Sequence, residues 1–127
     1  MAEAAAVSEL DRFLASPLAE EIRRSPRVLR EYPFTLLVDG KAWGLRDSGE
    51  DAILLQGVVD CCFETEEGLA VVDFKTDALR TREEIRRRAE EYRPQLEAYS
   101  LALERVLERK VVRRVLYFLA PGAAVEL

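Results

Sequence analysis

Two short acidic segments separated by a single turn constrain this chain more than any other feature. Gly57-Val58-Val59-Asp60 leads towards a turn at Glu66-Glu67-Gly68, and the chain returns as Val71-Val72-Asp73-Phe74-Lys75. An antiparallel hairpin centred on that turn puts Asp60 opposite Asp73. Side chains alternate along a strand, so Asp73 and Lys75 share one face while Val72 and Phe74 take the other. Carboxylates directly across a ladder repel unless something neutralises them, and a divalent cation with oxygen ligands does so. The hairpin is therefore a candidate metal site, with Asp60 and Asp73 as ligands and Lys75 beside them.

At 127 residues the chain has the length of one domain, with room for a single core and none for a motor or second catalytic module. An apolar share of 49% and a charged share of 34% describe an ordinary globular composition, and no apolar run is long enough for a bilayer. With no secretory leader to read, a cytoplasmic, non-membrane setting is the expectation. Cys61 and Cys62 are adjacent, point to opposite strand faces and read as small buried apolar residues. They make no disulfide framework and cannot hold a four-cysteine iron–sulfur cluster.

Histidine is absent. That excludes Ser-His-Asp and Cys-His catalysis and imidazole-bound zinc, leaving carboxylate, lysine, tyrosine and metal as reactive groups. No GxxxxGK[ST] loop is present, so nucleotide hydrolysis by the P-loop route is excluded as well. A net charge of −5 does not favour phosphate binding, yet part of it falls in the candidate metal pocket and arginines gather between Arg80 and Arg114.

Periodicity supplies the frame. Residues 8–24 read as an amphipathic helix capped by Ser8, with Leu10, Phe13, Leu14, Leu18 and Ile22 on one stripe and Pro17 kinking or dividing it. Residues 28–38 form a first strand, with Pro33 at an edge or strand start, and 41–51 a polar loop. Residues 53–64 and 69–75 are the hairpin strands. Thr81-Arg82-Glu83-Glu84 is a capping box for a helix running towards Tyr92, and Pro94 opens a second helical segment reaching about Arg109. Residues 111–119 are a strand, after which 123–127 can pair with it. This order predicts an α/β domain with a central mixed sheet flanked by helices, because a strand-helix-strand crossover returns parallel in the same sheet.

Three spaced motifs, Gly57-x-x-Asp60, Asp73-x-Lys75 and Gln95-x-x-x-Tyr99, resemble those of the RecB-like branch of the PD-(D/E)XK nucleases. The strings Arg30-Glu31-Tyr32-Pro33-Phe34, Val72-Asp73-Phe74-Lys75-Thr76-Asp77 and Tyr92-Arg93-Pro94-Gln95-Leu96 are similar to the C-terminal nuclease domain of the AddA-type bacterial helicase-nucleases. The resemblance covers nearly the whole chain. It implies a restriction-endonuclease-like fold, and DNA cleavage of exonuclease type during double-strand-break repair. The partners it implies are helicase domains and the second protein of a helicase-nuclease complex. RecB-like nucleases carry an upstream motif histidine that this sequence lacks, which implies one domain over 1–127 that is part of a larger nuclease unit. A non-cleaving DNA-binding or subunit-interaction module with the same fold is the competing reading.

The chemistry implied is phosphodiester hydrolysis assisted by Mg²⁺ or Mn²⁺, held by Asp60, Asp73 and the backbone carbonyl of Phe74, with Lys75 as the catalytic lysine. Against this stands the plain alternative of solvated strand-end acids neutralised by a surface amine. Gln95 and Tyr99 share a helix face suited to a DNA strand or to the site lysine, although an isolated tyrosine in such a stripe is more often core. Glu31 matches a family glutamate near the site. Arg82, Arg86 and Arg93 could follow phosphates, but interleaved Glu83, Glu84, Glu90 and Glu91 also make a salt-bridged solvent face.

Overall fold

Helix propensity and capping set the first two elements of the computed structural model, which describes residues 2–39 and 52–127. Helix α1 spans Ala2–Leu14 and α2 spans Pro17–Arg24. Ser8 is thus inside α1 and is not its cap: the alanine-rich start, Ala4-Ala5-Ala6, favours helix well before it. The cap belongs to Ser16, whose hydroxyl accepts from the Ala19 amide at 3.2 Å, and Pro17 occupies the first turn of α2, where its missing N–H costs little. The proline therefore divides the predicted helix in two.

Strands β1 (Val28–Asp39), β2 (Ala52–Glu64) and β3 (Leu69–Lys75) follow, then helix α3 (Arg82–Leu107), β4 (Val111–Phe118) and β5 (Ala123–Glu126). The predicted loop at 41–51 lies outside the described residues. The sheet order is β1-β2-β3-β4-β5, antiparallel throughout except for β3 and β4, which run parallel and are joined by the α3 crossover. This is the expected mixed sheet, and the C-terminal segment does pair with its neighbour.

Helix α3 is continuous where the sequence predicts two segments. Thr81 caps it, accepting from the Glu84 amide at 3.1 Å, and the helix passes through Pro94 without a break. Pro94 is exposed, so the carbonyl it leaves without an amide partner one turn earlier faces water, while Tyr92 and Leu96 continue the stripe that packs on the sheet.

Helices cover both faces. Leu18 and Ile22 of α2, with Phe13 of α1 against them, pack on Cys61, Phe63, Ala70, Val72, Val115 and Tyr117. On the opposite face, Ala102 and Leu103 of α3 meet Val59, Cys62 and Val71, while Ala89 and Leu96 meet Leu116 and Phe118. The two cysteines go to opposite faces and are buried and free, and burial pushes the Cys62 thiol up to about 11. Among the described residues no helix is long and apolar enough to cross a membrane.

Candidate active site

The site lies where the sheet forks. Strands β2 and β3 pair only as far as Cys61↔Val72; beyond that point β2 continues against β1, and β3 against β4. Asp60 and Asp73 occupy the next position in register, at the mouth of the fork. There strict alternation fails along β2: Val59 and Cys62, three residues apart, join the same core cluster. Across β1, Glu31 stands at the matching register position and has φ 48°, a left-handed conformation for a non-glycine residue. The fork lets Asp60 turn towards β3, where its Oδ2 accepts from the Phe74 amide at 2.9 Å.

Asp73 is held differently. Only 5% of its surface is exposed, and its Oδ2 is fully buried. Lys75 Nζ lies 2.8 Å from that oxygen, yet off its hydrogen-bonding direction, so the oxygen has a charge beside it and no directed donor. Burial, first, and the neighbouring Asp60 carboxyl, second, push the Asp73 carboxyl up to about 6, against the opposing pull of Lys75. A buried, under-bonded carboxylate oxygen beside a second carboxylate is what a hard divalent cation satisfies, so the residues present fit the expected ion. No third His, Cys, Asp or Glu joins them among the described residues.

Helix α3 supplies the rest of the site. Lys75 Nζ donates to Gln95 Oε1 at 2.9 Å, and Gln95 Nε2 donates to the Tyr99 hydroxyl at 3.2 Å. The Tyr99 ring packs edge-on against Phe34 of β1, with centroids 5.5 Å apart, and both rings lie over Gly57. Gln95 and Tyr99 are thus brought to the lysine as the helical spacing requires, Gln95 touching it directly and Tyr99 holding Gln95.

The weaker candidates stay outside this cluster. Glu31 is exposed and forms no three-carboxylate group with Asp60 and Asp73. Arg82 and Arg86 are exposed on α3, and Arg93 makes two 2.8 Å hydrogen bonds to Glu90. Together with the Arg87–Glu83 and Arg88–Glu91 pairs, these contacts make the salt-bridged solvent face that the interleaved charges predict.

Two further residues of the site fall inside the family-like strings of the sequence but are given no role there. The Tyr92 ring lies 4.0 Å from Lys75 Nζ, and its hydroxyl donates to Asp77 at 3.1 Å. The available signal was spacing: Tyr92 precedes Gln95 by three residues on one helix, and Asp77 follows Lys75 by two.

Comparison with known proteins gives the family. Residues 2–126 match the family model described as PD-(D/E)XK nuclease superfamily. The chain is 34% identical over 119 residues to an ATP-dependent helicase/nuclease subunit of Heliobacterium modesticaldum, covering 90% of this chain and 8% of that protein. The protein of the same name from Desulforudis audaxviator is 35% identical over 125 residues, covering 97% of this chain and 10% of its own length. That of Bacillus thuringiensis subsp. konkukian is 37% identical over 127 residues, with 92% and 10% covered. The chain thus spans about a tenth of the length of the curated relatives it matches. With Asp73-Phe74-Lys75 set on one strand beside Asp60 and the match running almost end to end, the chain belongs to the PD-(D/E)XK nuclease superfamily.

Proposed function

We propose that this chain is the DNA-cleaving domain of a bacterial helicase-nuclease, hydrolysing phosphodiester bonds with Mg²⁺ or Mn²⁺ in exonuclease fashion during double-strand-break repair. It would act in the cytoplasm beside helicase domains and the second protein of such a complex. The observation that carries the chemistry is the buried Asp73 Oδ2, without a directed donor, next to Asp60 and 2.8 Å from Lys75 Nζ. The helicase setting rests on the name of the relatives, each about ten times the length of this domain or more.

Asp60 and Asp73 would hold the ion, which when bound activates water and polarises the phosphate. The Phe74 carbonyl is supported as a third oxygen by strand geometry. The Phe74 amide reaches Asp60, the Lys75 carbonyl accepts from Leu119 on the other side, and one residue's N–H and C=O leave an extended strand on the same side. Lys75 would place its ammonium against the attacking water or a phosphate oxygen, where it stabilises developing negative charge. Gln95 holds that ammonium, and Tyr99 fixes the Gln95 amide so that its carbonyl oxygen faces the lysine. A DNA strand passing over this part of α3 would run along Gln95 and Tyr99, with Arg82, Arg86 and Arg93 further along the same helix and Glu31 across the fork.

The test is cleavage of a single-stranded oligonucleotide with Mg²⁺ or Mn²⁺, run beside Asp73→Ala and Lys75→Ala. Metal-dependent cutting that both substitutions abolish is the expected result. Cutting that survives both would overturn the mechanism. DNA binding with neither cutting nor metal uptake would identify the non-cleaving module instead.

A further inference from the structure

We propose that Tyr92 is a positioning residue for Lys75: its ring, tied at the hydroxyl to Asp77 and seated on Phe118, is the platform that keeps the lysine ammonium aimed at the Asp60–Asp73 pair. This rests on the nuclease reading above and adds to it a residue with a defined task.

A lysine side chain has four flexible bonds, and it must give up that rotamer freedom before its amine sits in one place. Three groups confine Lys75: Asp73 Oδ2 at 2.8 Å, Gln95 Oε1 at 2.9 Å and the Tyr92 ring at 4.0 Å from its centroid. They are not equivalent. Asp73 is the oxygen that a bound cation would also claim, so it is a shared anchor, whereas Gln95 and Tyr92 are not ligands. Gln95 fixes one hydrogen-bond direction. The ring face covers the amine from another side with an attraction that survives partial desolvation.

The ring is itself well fixed. Its hydroxyl donates to both oxygens of Asp77, at 3.1 and 3.2 Å, and Arg88 Nε lies 3.3 Å from the same carboxylate. The ring also packs at a tilt against the buried Phe118, with centroids 6.4 Å apart. Asp77 belongs to the segment leaving β3 and Tyr92 to α3, so this contact also ties the connection after the catalytic strand to the crossover helix. Burial and the bond to Asp77 both raise the phenol's pKa, keeping it a neutral donor.

Two substitutions separate ring from hydroxyl. Tyr92→Phe keeps the π face and loses the tie to Asp77; Tyr92→Leu keeps apolar bulk and loses the face. In the metal-free chain, the Lys75 side-chain protons next to the nitrogen are expected to show an upfield ring-current shift by NMR, retained in Tyr92→Phe and lost in Tyr92→Leu. With Mn²⁺ and single-stranded DNA, kcat is expected to fall about tenfold in Tyr92→Leu with KM nearly unchanged, and to recover to within about threefold in Tyr92→Phe. Lys75 resonances that do not move in Tyr92→Leu, or equal kcat losses in the Phe and Leu variants, would overturn the proposal. A Lys75→Ala variant that still cuts DNA would sink the lysine's catalytic role alone, because the NMR shift still reports whether Tyr92 holds the amine.

Discussion

Gln95 accepts a 2.9 Å hydrogen bond from the Lys75 ammonium, across twenty residues of chain and from the helix that crosses over β3. The bond makes the Gln95-x-x-x-Tyr99 spacing intelligible: one turn of helix sets the amide on the lysine and the phenol behind the amide. Gln95→Ala is expected to lower single-turnover cleavage about tenfold, the size of one charge-assisted hydrogen bond, with little change in unfolding midpoint. Tyr99→Phe, which leaves the amide in place and only frees it to rotate, is expected to cost about threefold. Equal and large losses in thermal stability for both would mean that the pair is structural only.

Asp73 gives a pH prediction for the metal-free chain. Its carboxyl is pushed up to about 6 by burial and by Asp60, whereas an unfolded aspartate titrates near 4. Between those values the folded chain holds a proton that the unfolded chain has released, so folding stability falls as pH rises through that window and stays lowered above it. In chelator at pH 8, Asp73→Asn is therefore expected to be more stable than the starting chain by on the order of 1 kcal/mol, with the difference vanishing near pH 4. Millimolar Mg²⁺ should raise the Tm of the starting chain and leave that of Asp73→Asn where it was. Denaturant unfolding at the two pH values, with and without the ion, checks both statements.

The C-terminus of α3 offers a substitution remote from the chemistry. Glu108 sits there at φ 53° and ψ 37°, the left-handed conformation that a side chain with a Cβ adopts at some cost. It also sets a carboxylate at the negative end of the helix dipole. Glu108→Gly is expected to raise stability by roughly 0.5–1 kcal/mol and to leave DNA cleavage unchanged. A lower denaturation midpoint in this variant would show that the helix end is held by something other than its cap.

Motif spacing and strand alternation were enough to read Asp73 and Lys75 on one face, to offer the site lysine as one of two partners for Gln95, and to expect a mixed sheet with a parallel crossover. The local departures were not legible, each for a physical reason. Ser8 has the chemistry of a cap, but the alanines before it extend α1, and Ser16 takes that task one element later. Pro94 reads as a boundary, yet on an exposed face it removes a bond that water replaces. The break in alternation at Asp60 depends on the sheet forking there, a tertiary event that no period of two can encode. Tyr92 was hidden because a tyrosine on an apolar stripe resembles core until the lysine is seen over its ring.

Gly57 ties sheet packing to the site. A Cβ at this position would lie 2.9 Å from the tip of the Phe34 ring and 3.1 Å from Tyr99, closer than packed carbons settle. The strand has ordinary room for a side chain by dihedral angle; it lacks room in space, because the Phe34–Tyr99 pair lies directly on the glycine. Gly57→Ala must push one or both rings outwards, and Tyr99 carries the hydroxyl that orients Gln95. The expected cost is about 1–3 kcal/mol of stability, the usual range for overpacking. Cleavage should fall by more than that loss explains, since the folded fraction stays near one while the amide on Lys75 is displaced. Phe34→Leu in the Gly57→Ala background shortens the side chain that the new methyl meets, and is expected to restore part of the activity even though each change alone destabilises. Activity in Gly57→Ala equal to that of the starting chain, measured well below its unfolding temperature, would show that the aromatic pair is not coupled to the lysine.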